Sequence, residues 1–207
     1  MLSIALAKIH CVKTTKEIDR DEPYVLATAA DISGLVPQVE VVKYGPWADV
    51  KKGEDRTTLA RPAGMSSDSW KILSMGKVVR TLFWGLDHKP KALGSTEGAI
   101  FVLSLVEHDA SSSADATREL VKVAAVASLA GSTGLAYDVR VSSLVRDIKG
   151  ALEVPTGAPN FEDPIGTQHL ALGVGDLSGS PGSARTKTLR FTGQGGEYTA
   201  TVEIAYS

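Results

Sequence analysis

Cysteine is almost absent from this chain, and that scarcity narrows the chemistry open to it. The sequence has 207 residues and a single cysteine, Cys11. A disulfide within the chain is therefore excluded, and a zinc site built on cysteine is disfavoured. Cys11 and His10 are neighbours on an expected strand, so their side chains point to opposite faces and do not form a nucleophile–base pair. We expect Cys11 to be a small buried side chain.

Long apolar runs and an excess of basic charge are also missing. No stretch reaches the roughly 18 apolar residues that span a bilayer, and the first residues lack a basic, apolar leader. We therefore expect a cytoplasmic chain, or one exported without a cleaved leader. Lysine and arginine total 22 against 24 acidic residues. Because a nucleic-acid binder carries a basic patch, we expect no nucleic-acid partner.

Common catalytic signatures are absent too. The chain contains no Gly-x-Ser-x-Gly, phosphate-loop or His-Glu-x-x-His motif. Paired carboxylates can hydrolyse sugars, but aromatic residues make up only 6% of the chain and form no cluster in sequence. We therefore do not expect an enzyme.

Short segments with period-two alternation make up most of the chain, and they predict strands. A phase shift between Leu6 and Ile9 indicates a β-bulge in the first strand. The sequence between Gly193 and Glu197 predicts a hairpin turn. Further strands are expected at residues 24–30, 36–44, 78–84, 99–106, 168–174, 186–192 and 198–206. Together they predict a mainly β fold, an antiparallel eight-stranded β-sandwich in one domain, 1–207.

One region, about 114–153, changes to a helical period. We expect helices at about 114–130 and 137–152, with Ser112 or Ser113 as the first N-cap. The second helix places its apolar residues on one stripe, namely Val141, Leu144, Val145, Ile148 and Leu152. We expect this inserted helical hairpin to pack on a sheet face or on a partner chain, because charged residues disfavour insertion into a membrane.

Three acidic segments stand beside expected strands. They are Glu17-Ile-Asp-Arg-Asp-Glu22, Glu107-His-Asp109 and Glu162-Asp163. Several carboxylates gathered at one rim repel one another, and a divalent cation removes that cost. Calcium takes six to eight oxygen ligands, which Asp and Glu supply. Acidic loops also cap backbone amides without any metal, and that interpretation stays open.

The acidic segments resemble those of the C2 family of calcium- and phospholipid-binding domains. Asp19-Arg-Asp-Glu-Pro-Tyr-Val25 is similar to the family's first calcium loop, and Leu105-Val-Glu-His-Asp109 and Glu162-Asp-Pro-Ile-Gly166 are similar to the two halves of its third loop. The helical hairpin is then an insertion in that third loop. The resemblance implies a Ca²⁺ site with ligands drawn from Glu17, Asp19, Asp21, Glu22, Glu107, Asp109 and Asp163. Ser112 and Asp115 are alternatives to Asp163 by spacing.

These patterns lead to three functional hypotheses. The resemblance implies a calcium-binding module that binds an anionic phospholipid surface. An alternative is a structural or assembly module of a larger complex or toxin, in which calcium stiffens loops and the helical hairpin forms a homo-oligomer or protein interface. A further alternative is calcium-mediated carbohydrate binding. Since one sandwich fold hosts many functions, the fold alone does not decide among them.

Overall fold

Two antiparallel sheets and a pair of helices form the protein. The computed structural model describes residues 1–15, 21–57, 82–84, 90–108, 113–154 and 163–207. In these ranges the strands are β1 (Leu2–Lys13), β2 (Pro23–Asp31), β3 (Gln38–Tyr44), β4 (Asp55–Thr57), β5 (Ala99–Glu107), β6 (Asp163–His169), β7 (Ala184–Gly193) and β8 (Gly196–Tyr206). The first sheet has the order β4-β1-β8-β7 and the second β3-β2-β5-β6. The predicted mainly β, antiparallel, eight-stranded architecture is confirmed.

The first sheet shows the alternation that its sequence predicts. In β8 every second residue is buried, from Tyr198 to Tyr206, because one face of the strand lies on the core. In β1 the pairing with β8 shifts between Leu6 and Lys8. This bulge allows both Leu6 and Ile9 to enter the same core, and it confirms the predicted phase shift.

The second sheet is covered on both faces. All nine residues of β2 and all nine of β5 are buried. In β5, Leu103 and Leu105 face the core between the sheets, whereas Ile100 and Val102 belong to a second core on the opposite face. A strand buried on both sides carries apolar residues at consecutive positions, and β5 therefore lies between two layers, as predicted.

The helices supply the third layer. Helix α1 spans Ala114–Gly131 and α2 spans Tyr137–Leu152, which confirms the predicted helical hairpin. The Ser113 hydroxyl accepts a hydrogen bond from the Ala116 N–H at 3.3 Å and caps α1. Leu144, Ile148 and Leu152 are buried in the second core. The predicted stripe therefore packs on the chain's own sheet.

The last predicted strand before the closing hairpin was placed too late. β6 covers Asp163–His169, not 168–174, because pairing with β5 starts at Asp163 and ends at His169. Beyond it, Leu170 is buried and Leu172 packs on the core from a non-strand segment, which explains the misleading alternation. The strand predicted at 78–84 lies mostly outside the described residues, although Leu82 forms an isolated bridge with Ala5.

Neither described helix combines the length and apolar character required to cross a bilayer.

Candidate functional site at the acidic rim

One end of the sandwich brings together the acidic segments that are described. Pro23 at the start of β2 lies opposite Glu107 at the end of β5, and Glu107 lies opposite Asp163 at the start of β6. Asp21 directly precedes this row and forms an isolated bridge with Val50. We call this end, defined by Asp21, Glu22, Glu107 and Asp163, the rim. Adjacent strand ends thus collect carboxylates from three separate segments of the chain.

Asp21 is fully buried, and its carboxylate is held by protein donors. It accepts hydrogen bonds from the Thr15 N–H at 2.9 Å and the Thr15 hydroxyl at 2.8 Å. The Tyr198 hydroxyl of β8 donates a further hydrogen bond to it. These bonds join the connection after β1 to the first sheet. Asp21 therefore has a structural role at the rim, because a buried carboxylate needs such compensation.

Tyr198 remains a donor because its environment opposes ionisation. Burial first, and then the hydrogen bond to Asp21, raise the pKa of the Tyr198 hydroxyl far above its usual range. Burial also raises the pKa of the neighbouring Cys11 thiol, which is fully buried. Cys11 is thus a protonated side chain in the core, and its burial was predicted.

Glu107 connects two strand ends. Its side chain is almost fully buried, and Oε1 accepts a hydrogen bond from the Glu22 N–H at 3.0 Å. The His108 N–H donates in turn to the Glu22 carbonyl at 3.2 Å. The His108 ring lies edge-on to Tyr24 with centroids 6.1 Å apart. This arrangement fixes the relative position of β2 and β5 where they meet the rim.

Glu22 and Asp163 are the rim carboxylates that solvent reaches, since both residues are half-buried. The Asp163 Oδ1 accepts a hydrogen bond from the Gln194 amide at 3.2 Å. Gln194 and Gly195 both have positive φ, 50° and 79°, as a two-residue type I′ hairpin requires. The turn between β7 and β8 therefore also borders the rim. Asp163 itself is the first residue of β6 and not part of a preceding loop.

The described residues do not by themselves compose a metal cage. Among them, no group of three or more His, Cys, Asp or Glu side chains is placed to hold a metal ion. Glu17, Asp19 and Asp109, which the resemblance implies as ligands, lie outside the described residues, as does Ser112. The alternative ligand Asp115 forms an ion pair with Lys43 at 2.8 Å. That hydrogen-bonded ion pair lowers the pKa of Asp115.

Sequence reasoning missed two residues that contact the rim. Thr15 and Tyr198 were not expected to contact an acidic loop, yet both bind Asp21. The inward position of Tyr198 on β8 was predictable, but its partner, 177 residues away in the chain, carries no local signal.

Comparisons with protein-family models, with curated proteins and with solved structures found no match for this chain.

Proposed function

We propose that this chain is a calcium-binding module of the C2-like kind, which uses its rim to bind an anionic membrane surface. One observation carries the proposal: Glu22, Glu107 and Asp163 come from separate acidic segments and lie at adjacent strand ends. Carboxylates that are brought close together repel one another unless a cation or a donor compensates them. The protein supplies donors to Asp21 and to Glu107.

The rim carboxylates divide into two roles under this proposal. Asp21 and Glu107 hold the strand ends in place, because their oxygens accept from Thr15, Tyr198 and the Glu22 N–H. Glu22 and Asp163 are half-buried and offer oxygens at the surface. Glu17, Asp19 and Asp109 adjoin the rim in sequence and remain predicted ligands. A bound Ca²⁺ would contribute positive charge that accepts phosphate oxygens of a headgroup.

The test combines calorimetry with liposome sedimentation. Calcium is titrated into the purified chain, and the chain is pelleted with phosphatidylserine vesicles in calcium or in chelator. We expect heat of binding and calcium-dependent pelleting, both lost in a Glu22→Gln, Asp163→Asn double variant. Glu97→Gln with Asp138→Asn is the matched control, since both residues are exposed and lie away from the rim. Absence of calcium heat, or equal pelleting in chelator, contradicts the proposal.

A second candidate function, assembly with copies of itself, is favoured by one surface. Helix α1 exposes Val123 and Val126, with 66% and 50% of their surface accessible. They lie on the side of the hairpin opposite the buried stripe, so an interface formed by the hairpin would use them. We expect sedimentation velocity to show a dimer that a Val123→Lys, Val126→Lys variant abolishes. A monomer at all concentrations contradicts this candidate.

A further inference from the structure

A groove runs along one edge of the second sheet, between α2 and β6. It has a volume of about 810 Å³. Helix α2 forms one wall with Val141, Val145, Arg146 and Lys149, and the edge strand forms the floor with Thr167 and His169. Nothing in the sequence pattern predicted it.

The backbone of the edge strand faces into this groove. The Leu170 N–H donates to the Phe101 carbonyl at 2.8 Å, so Leu170 and Phe101 form a hydrogen-bonded pair. Such pairs alternate along antiparallel strands. In the register of His169 with Val102, the backbone N–H and C=O groups of Thr167 and His169 therefore point away from β5. They lie on the outer edge of the sheet, where another strand can pair with them.

Nearer to the rim, strand β7 covers the same edge at Ile165. Gly193 of β7 packs so tightly on the Ile165 carbonyl that a Cβ at this position would overlap it. The side-chain amide of Gln168 also donates to the Arg190 carbonyl of β7. The two sheets thus meet at Ile165, and beyond it Thr167, which is 7% exposed, and His169, which is half-buried, line the groove. An incoming chain would pair with a short, defined stretch of β6.

The wall of the groove is cationic. Lys149 is exposed on the last turn of α2 and has no ion pair among the described residues. Arg146, one turn earlier, bonds Asp147 at 2.8 Å but keeps 74% of its side chain exposed. Among the described residues that line the groove, Glu153 is the one acidic side chain. Val141 and Val145 add a half-buried apolar strip between these charges and the sheet.

The lining of the groove therefore has two cations against one carboxylate. Two copies joined groove to groove would bring Arg146 and Lys149 of one copy towards those of the other, and like charges placed together cost free energy. Charge therefore favours an acidic partner over a second copy.

We propose that the groove between α2 and β6 binds an extended acidic segment of a partner protein, which adds a strand to the β6 edge. Backbone hydrogen bonds form with Thr167 and His169. The side chains of the segment that face α2 are acidic and contact Arg146 and Lys149, because alternate residues of a strand share one face. Strand addition of this kind draws affinity from the main chain and selectivity from alternate side chains.

The experiment uses the full chain, labelled with ¹⁵N, and an acetylated peptide of alternating glutamate and valine as the probe. It is performed in chelator, so its outcome does not depend on the calcium proposal. We expect the amide signals of Thr167 and His169 to shift and to exchange more slowly with solvent. The backbone N–H of Gln168, which the register directs towards β5, keeps its exchange rate. No binding, or binding that leaves these amides unchanged, overturns the proposal.

Two matched controls test the charge and the strand separately. Lys149→Glu is expected to weaken peptide binding about fivefold, since it reverses one exposed contact, whereas Lys122→Glu, also exposed on a helix, leaves it unchanged. A lysine–valine peptide should not bind, and neither should a glutamate–proline peptide, which lacks alternate N–H donors. Equal binding of either peptide overturns the proposal. So do concentration-dependent shifts of the same amides without peptide, which would assign the edge to a second copy.

Discussion

At the scale of single residues, the buried carboxylate of Asp21 has the largest expected influence on stability. Asp21→Asn would place an amide donor against the donors of Thr15 and Tyr198. A buried group left without its partners costs several times more than a lost surface contact. We expect Asp21→Asn to lower the free energy of unfolding by about 2–4 kcal/mol. Urea denaturation monitored by circular dichroism measures the change.

The control for this substitution is Glu97→Gln, which makes the same carboxylate-to-amide change at an exposed residue and should alter stability by about 0.5 kcal/mol or less. Tyr198→Phe removes one donor and should cost about 1 kcal/mol. Because both side chains share one hydrogen bond, the double variant should lose less than the sum of the single losses. Strict additivity would contradict the bond, and an unchanged Asp21→Asn would contradict the structural role.

His169 predicts a pH dependence of stability. Its ring lies between α2 and β6, 3.4 Å from the Tyr137 hydroxyl. Burial lowers the pKa of His169, and the negative charge of Asp138 opposes this only in part. Since the folded pKa lies below the unfolded value of about 6.5, the unfolded state binds more protons on acidification. Stability is therefore complete above about pH 6.5 and declines as the pH falls towards the folded pKa.

The measurement is the free energy of unfolding between neutral pH and about pH 5.5, above the range in which most carboxylates titrate. We expect His169→Gln to flatten the slope over this interval, because the variant has no imidazole to protonate. The chain has three other histidines among its four, and they are present in both proteins, so their contribution cancels in the comparison. Identical slopes for the two proteins would show that His169 is not the responsible group.

At the scale of elements, the helical hairpin belongs to the core and not to an accessory surface. Ile148 is fully buried between α2 and the second sheet, whereas Val123 on α1 is mostly exposed. Ile148→Ala leaves a cavity and should cost about 2–5 kcal/mol. Val123→Ala should stay within about 0.5 kcal/mol. Thermal and urea unfolding of the two variants make the comparison, and equal losses would mean that the hairpin does not pack as described.

The elements whose signals are local were predictable from the sequence. Helix α2 was expected at residues 137–152 and occupies Tyr137–Leu152. It was predictable because the segment itself has apolar residues at a period of 3.6. The turn at Gln194 and Gly195 was expected for a similar reason, since its backbone requires positive φ. In both cases the residues of the segment itself determine its local structure.

Features that depend on distant pairing were not predictable in the same way. The order of strands in the two sheets and the contact of Tyr198 with Asp21 join remote parts of the chain. The bounds of β6 depend on its pairing with β5. Leu170 lies outside the strand but is buried, so its apolar character wrongly indicated a strand residue. At the rim, the donors that bind Asp21 and Glu107 are a product of tertiary structure.

At the scale of the whole molecule, opposite charges occupy different surfaces of a chain whose net charge is only −2. The rim gathers Glu22, Glu107 and Asp163 at the strand ends. The groove beside β6 presents Arg146 and Lys149 on the wall of the sandwich. A near-neutral total charge is therefore compatible with local charges of opposite sign on different surfaces, and our two proposals assign a different class of partner to each surface.

The two ends of the molecule also carry one described tryptophan each, and this allows the position of calcium to be tested. The Trp47 N–H donates to the Pro23 carbonyl at 3.0 Å, next to the rim. Trp84 lies at the opposite end, where its indole N–H donates to the Lys91 carbonyl at 3.1 Å and Lys91 bridges Leu2 at the start of β1. A ligand bound at the rim should therefore perturb the Trp47 indole and leave the Trp84 indole unchanged.

Fluorine NMR of the chain labelled with 5-fluorotryptophan measures both ends in one sample. The chain has three tryptophans, and single Trp→Phe variants assign their signals, including that of Trp70, which lies outside the described residues. We expect calcium to shift the Trp47 signal, and the Glu22→Gln, Asp163→Asn variant to abolish that shift. A calcium-induced shift confined to Trp84, or one that persists in the double variant, would place the ion away from the rim, because chemical shifts respond to charges and packing only nearby.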